Sequence, residues 1–130
     1  MKRILITGGA GFIGSHLTET LLAQGHLVTV VDDESTGSSN NLAHLQTETR
    51  LNYVQGDIGD IDLVRKVTSD VDQVYHLAAA VGVALIAKEP LETIERNIYP
   101  TQLLFGELRK RIERGEALRV FLASTSEVYG

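Results

Sequence analysis

The feature that most narrows what this chain can fold into is its start, where the apolar run Arg3–Ile6 leads at once into "TGGAGFIG", Thr7 to Gly14. Short runs rich in β-branched residues read as strands. The residues that follow place Ile13, Leu17 and Leu21 at helical spacing and stop before Gly25, which predicts a helix over Phe12–Ala23. A glycine cluster between a strand and a helix lets the backbone turn sharply and leaves amide N–H groups pointing past the helix N-terminus, an arrangement that suits a phosphate. Gly8, Gly11 and Gly14 fit G-x-x-G-x-x-G, and Gly9, Gly11 and Gly14 fit the dinucleotide-binding spacing G-x-G-x-x-G.

The pattern recurs along the chain. Further strands are predicted at Leu27–Val31, Leu51–Val54, Gln73–Leu77 and Arg119–Ala123, each nearly all apolar, as strands covered on both faces are. Helices are predicted at Asn40–Leu45, Asp62–Thr68 and Leu91–Arg114, the last starting after Pro90 and ending before Gly115. Pro100 inside it is expected to kink or divide it, because proline removes a backbone donor and clashes with the preceding turn. Strands alternating with helices imply βαβ units on a parallel sheet, an α/β fold forming one domain over residues 1–130.

The second strand runs into Asp32, eighteen residues beyond Gly14. An acid there is placed to accept hydrogen bonds from the adenosine ribose of NAD and to repel the 2′-phosphate of NADP. No Arg or Lys lies between Arg3 and Arg50, which favours NAD further. Twelve Lys and Arg against seventeen Asp and Glu, a formal charge of −5, argue against a nucleic-acid partner. The absence of cysteine excludes disulfides, thiolate zinc sites and a cysteine nucleophile. Four histidines without a paired His-x-x-x-His give no metal site. The apolar run Ile4–Ile6 is too short for a secretory signal, and no run is long enough to cross a membrane, so a cytoplasmic protein is expected.

With strand, loop, helix and acid in register, the chain resembles the N-terminal part of an extended short-chain dehydrogenase/reductase, in the branch of NAD-dependent nucleotide-sugar epimerases, dehydratases and decarboxylases. The resemblance rests on "TGGAGFIG", "DDESTG", "GDI" at Gly56–Ile58, "HLAA" at His76–Ala79 and the closing "STSEVYG". It implies a Rossmann-type doubly wound parallel sheet in the order 3-2-1-4-5, with Gly8, Gly11, Phe12 and Ile13, together with Gly14, lining the pyrophosphate. Asp32, Asp33, Ser35, Thr36 and Gly37 would hold the adenosine end, and Asp57 and Ile58 would border the adenine. Leu77, Ala78 and Ala79 would pass beneath the nicotinamide ribose.

The resemblance also implies a chemistry. In this family a hydroxyl on the closing segment binds the sugar 4-OH, a tyrosine removes its proton, and NAD⁺ accepts hydride from C4. Thr125 is the main hydroxyl candidate, with Ser126 and Glu127 beside it. A carboxylate next to a 4-keto sugar can act as acid or base after the oxidation, so Glu127 leans toward decarboxylation or dehydration. "STSEVYG" most resembles UDP-glucuronate decarboxylases, with a 4-epimerase or 4,6-dehydratase as the alternative. The family's Tyr-x-x-x-Lys pair is missing: the positions four beyond Tyr53, Tyr75 and Tyr99 hold Asp57, Ala79 and Leu103, and Tyr129 stands next to the last residue. Pro100 also replaces the glycine usual in relatives. The expectation is therefore the cofactor-binding part of a longer, homodimeric enzyme that takes a UDP-sugar; if the 130 residues were the whole product, a dinucleotide-binding protein without turnover would be expected instead.

Overall fold

A computed structural model describes residues 1–34, 39–77 and 90–122, with the backbone alone for 90–98. Five strands form one parallel sheet: β1 (Arg3–Thr7), β2 (Leu27–Asp32), β3 (Leu51–Gln55), β4 (Gln73–His76) and β5 (Arg119–Leu122). Their order is β3-β2-β1-β4-β5, as the sequence predicts. Among the described residues the helices are α1 (Phe12–Ala23), α2 (Ile61–Thr68) and α3 (Pro90–Glu113), with a 3₁₀ segment at Ser39–Leu45.

Because side chains alternate across a strand, β1 supplies both cores. Ile4 and Ile6 join Val28, Val30, Leu21, Leu22 and Leu42 on one face, beneath α1 and the 3₁₀ segment. Leu5 joins Val31, Val74, Val64, Val67, Leu104 and Leu108 on the other, beneath α2 and α3. Helices thus cover both faces at the centre. They do not cover the margins: β3 is only half-buried and every residue of β5 is exposed, so the expectation that each strand is covered on both faces holds for the middle strands alone. Among the described residues the outer strands have a neighbour on one side only, and their apolar residues reflect β propensity as much as burial.

Two further details differ from the sequence reading. Ile13 is 71% exposed, and the buried face of α1 is Gly14, Ser15, Thr18, Leu21 and Leu22. Small and hydroxyl-bearing residues form this face because the helix start lies against the glycine loop, and Thr18 returns its hydroxyl to the Gly14 carbonyl (2.7 Å). Second, of the two outcomes expected at Pro100, a kink or a division, the division does not occur: α3 is one helix through it.

The cations near the end of α3 lie at the negative end of its dipole and also have individual partners. Arg109 pairs with Glu113 and Lys110 with Glu107, both exposed cations, while Arg114 pairs with Glu116. Arg111 is buried at 7% exposure and donates to the carbonyls of Thr68 (2.9 Å) and Val71, and to Glu116 (3.1 Å). It satisfies carbonyls left over where α2 ends and so ties α2 to α3.

Candidate functional site

In a parallel sheet all strands end on the same side, so the C-terminal ends of β1, β2, β3 and β4 bring together Thr7, Asp32, Gly56 and His76 with the loops that follow them. That edge is where doubly wound sheets bind ligands. The glycines shape it for different reasons. Gly8 has φ +77°, a left-handed setting that suits glycine, and its N–H donates to the Val31 carbonyl (2.8 Å). A Cβ on Gly14 would stand 2.6 Å from the Gly9 Cα and closer still to the Gly8 carbonyl oxygen, so the missing side chain lets α1 touch the loop. On Gly11 a Cβ would meet only the Gly8 carbonyl, at 3.4 Å, an ordinary contact. Gly11 therefore leaves room for something other than the protein's own backbone.

Helix α1 begins with Gly11 as its N-cap, without a side-chain cap and without an acidic residue in its first turn. The contrast with α2, on the same edge, is direct: there the Asp60 carboxylate caps the Asp62 N–H (3.1 Å), and Asp62 itself lies in the first turn. The positive end of α2 is thus answered by its own residues, and that of α1 is open to an anion. Phe12 and Ile13 stand exposed in that first turn, at 77% and 71%.

Asp32 is buried at 8% exposure. Its Oδ2 accepts the Ala10 N–H (2.9 Å) and its Oδ1 the Glu34 N–H (2.7 Å), which fixes the carboxylate against the glycine loop. Each oxygen retains a second lone pair for a further donor. The side-chain amide of Asn41, from the 3₁₀ segment, donates to the Ala10 carbonyl (2.7 Å) and holds the loop from the other side. Asp33 is exposed beside them, and Glu34 adopts φ +60°, unusual for a residue with a side chain. On the next loop Asp57 is exposed and its Oδ1 takes the Gly59 N–H (2.7 Å), whereas the Ile58 side chain lies in the α2/α3 core.

At the end of β4 a buried chain of hydrogen bonds crosses the sheet. The Thr7 hydroxyl accepts the Leu77 N–H (3.1 Å) and lies 2.7 Å from His76 Nδ1, while His76 Nε2 lies 2.9 Å from the Thr101 hydroxyl on α3. Burial lowers the His76 pKa from its ordinary value and so favours the neutral ring. A neutral imidazole has one donor and one acceptor nitrogen; the simplest arrangement has the Thr7 hydroxyl donating to Nδ1 and the Nε2–H donating to the Thr101 hydroxyl. This chain sets the backbone of Leu77, half-buried at the sheet edge.

The structure thus brings Gly8, Gly11, Gly14, Phe12, Ile13, Asp32, Asp33, Asp57, Ile58 and Leu77 to one edge. Ser35, Thr36, Gly37, Ala78, Ala79, Thr125, Ser126 and Glu127 lie outside the described residues. Sequence reading missed the parts played by Ala10, Asn41 and His76. Only His76 had a signal, a polar ring closing an apolar strand that should not bury it unpaired. Among the described residues no group of three or more His, Asp or Glu could hold a metal ion, and no helix is long and apolar enough to cross a membrane.

A five-stranded parallel sheet of this order, with an open helix start behind a glycine turn and an acid closing the second strand, defines a Rossmann-type nucleotide-binding unit. Residues 5–130 match the family model described as GDP-mannose 4,6 dehydratase, and the chain belongs to that family of nucleotide-sugar-modifying, NAD-dependent extended short-chain dehydrogenases/reductases. It is 43% identical over 129 residues to UDP-glucuronic acid decarboxylase 1 of Danio rerio, covering 99% of this chain and 28% of that enzyme. Among solved structures it resembles the UDP-N-acetylglucosamine 4-epimerase of Methanobrevibacter ruminantium in complex with UDP-N-acetylmuramic acid, with TM-score 0.87 and 35% identity over 99% of this chain and 39% of that one. The UDP-glucose 4-epimerase of Bifidobacterium longum in complex with NAD⁺ and UDP gives TM-score 0.84 and 29% identity over 98% of this chain and 38% of that one. The chain therefore spans between about a quarter and two fifths of the length of these relatives.

Proposed function

We propose that the chain is the NAD-binding part of an enzyme that oxidises a UDP-sugar at C4, with decarboxylation of UDP-glucuronate as its reaction. The observation that supports the cofactor half most directly is the start of α1, uncapped and free of acid, held beside the buried Asp32 carboxylate. The pyrophosphate would lie against Gly8, Gly11, Phe12, Ile13 and Gly14, and the adenosine ribose against Asp32, Asp33, Ser35, Thr36 and Gly37. Asp57 and Ile58 would border the adenine, and Leu77, Ala78 and Ala79 the nicotinamide ribose.

When bound, NAD supplies an acceptor for hydride. The chain's own contribution to that chemistry falls to Thr125, which would hold the sugar 4-OH, and to Ser126 and Glu127 beside it. Oxidation at C4 makes the C5 carboxylate of UDP-glucuronate part of a β-keto acid, which loses CO₂, and Glu127 would manage the proton that C5 then requires. The proton-abstracting tyrosine and its lysine are not a pair within these 130 residues. A 4-epimerase is the second reading, favoured by the solved epimerases that share this fold. Incubating the full-length enzyme with UDP-glucuronate and with UDP-glucose separates them: CO₂ and a UDP-pentose from the first are expected, and conversion of UDP-glucose to its C4 epimer without CO₂ release would replace the decarboxylase reading.

A further inference from the structure

The stretch of chain from Asp32 to Asn41 begins and ends on the same residue of the glycine loop. Asp32 Oδ2, at the end of β2, accepts the Ala10 N–H (2.9 Å), and the Asn41 side-chain amide, in the 3₁₀ segment, donates to the Ala10 carbonyl (2.7 Å). Ala10 itself is fully buried. Because peptide groups are planar, each bond fixes a whole plane. Asp32 sets the plane between Gly9 and Ala10. Asn41 sets the plane between Ala10 and Gly11, whose N–H points the opposite way, to the Gly8 carbonyl at the longer distance of 3.2 Å. The ladder of α1 then starts with the Ser15 N–H on the Gly11 carbonyl (2.9 Å). The N–H groups of Phe12, Ile13 and Gly14 come before it and, as at any helix start, have no acceptor within the helix. Asn41 has a firm seat from which to act: its neighbour Leu42 is buried in the core beneath α1, and His44 Nε2 lies 3.2 Å from Glu19 on α1 itself.

We propose that Asn41 is a positioning residue for the cofactor's pyrophosphate: by holding the Ala10 carbonyl it sets the peptide that enters α1 and so aims the N–H groups of Phe12 and Ile13 at the phosphates. The inference rests on the NAD site argued above. Asp32 cannot do this alone, because it holds only the peptide before Ala10, and rotation about the Ala10 backbone would still turn the plane that follows. Nor does the ribose acid depend on Asn41, since Asp32 keeps its bond to the Glu34 N–H (2.7 Å) whichever way that plane turns. The two ends of the stretch therefore serve different parts of one ligand, Asp32 the ribose and Asn41 the phosphates.

Three ligands separate these roles. NAD and ADP are titrated by calorimetry, and adenosine by NMR, into the wild-type chain, into Asn41→Leu, which keeps much of the shape of the side chain without its donor, and into Asn41→Ala, with melting curves for each in the absence of ligand. Asn41 is exposed, so both variants should fold. Both are expected to bind NAD and ADP about tenfold more weakly, the worth of one hydrogen bond, and to bind adenosine, which has no phosphate, as the wild type does, with the NAD:NADP ratio unchanged. Undiminished NAD affinity in both variants, a loss that extends equally to adenosine, or failure of both variants to fold would each overturn the role of Asn41 alone. A wild-type chain with no affinity for NAD would overturn it together with the site on which it rests.

Discussion

Adding one methyl group at Gly14 tests whether the glycines of the loop do different work. The new Cβ would lie 2.6 Å from the Gly9 Cα and closer to the Gly8 carbonyl, both backbone atoms that cannot rotate away. Restoring normal contact distances requires α1 to withdraw by roughly 1 Å, and α1 carries Leu21 and Leu22 into the core, so the displacement is opposed there. Overpacking of this kind costs about 3 kcal/mol at the upper end of its range. The better helix propensity of alanine returns about 1 kcal/mol, leaving a net loss of about 2 kcal/mol, or roughly 6–10 °C in melting temperature for a domain of this size. Gly11→Val is the partner experiment: its Cβ meets only the Gly8 carbonyl at 3.4 Å, in an extended N-cap conformation that any residue adopts, so the fold should survive with a loss of at most about 1 kcal/mol. Differential scanning calorimetry and NAD titration of both variants give the pattern: Gly14→Ala loses stability and binding, Gly11→Val keeps its fold and loses binding. A Gly14→Ala chain with an unchanged melting temperature would refute the packing argument, and a Gly11→Val chain with full NAD affinity would refute the assignment of the space above Gly11 to the pyrophosphate.

His76, buried with its pKa lowered, makes stability depend on pH with a definite sign. Below its ordinary value of 6.5 the unfolded chain takes up a proton that the folded chain resists, so stability should fall as pH drops from 6.5 toward the lowered folded-state value; His76→Leu should be less stable overall but lose that slope, and an unchanged slope in urea-unfolding midpoints would assign it elsewhere. The edge strand β5 exposes Val120, Phe121 and Leu122 at 36%, 55% and 55%, and light scattering should find the 130-residue chain associating with rising concentration and Phe121→Lys suppressing it; a wild-type monomer at all concentrations would contradict this. In the full-length enzyme Glu127→Gln should slow the step after oxidation more than hydride transfer, visible as accumulated NADH or 4-keto sugar, and a normal product yield would return Glu127 to an ordinary turn residue.

The sheet was legible because its signals are local. A β-branched run, a glycine turn and a 3.6-residue period fall within Arg3–Ala23, and the alternation of such runs with helical segments indicates the number of strands, while their order is what the family resemblance implies. The helix faces were less legible: Ile13 carries the apolar character and Gly14 the burial, because what decides the face is the close approach of two backbones, a contact between residues whose lack of a side chain says nothing about hydrophobicity. Asp32 could be picked out as the acid closing β2, but its bond to the Ala10 N–H joins the end of β2 to the loop after β1 and follows only from the pairing of β1 with β2. The same holds for His76, whose partners Thr7 and Thr101 are 69 and 25 residues away. Nothing in the neighbourhood of Arg111 in the chain announces that α2 ends beside it and offers the Thr68 and Val71 carbonyls.

Calorimetric titration of the 130-residue chain and of Asp32→Ala with NAD and with NADP tests the cofactor site most directly. The variant loses the backbone bonds of Asp32 as well as any bond to ribose, so a fall in NAD affinity alone is ambiguous; the ratio between the two cofactors is not, because damage to the loop weakens both. The wild-type chain is expected to bind NAD and discriminate against NADP, and Asp32→Ala to weaken NAD by about 10- to 100-fold, the worth of a charged acceptor, while bringing the two affinities together. Strong NAD binding with the same NAD:NADP ratio in the variant would show that the acid at the end of β2 does not read the ribose, and no NAD binding by the folded wild-type chain would contradict the cofactor site itself.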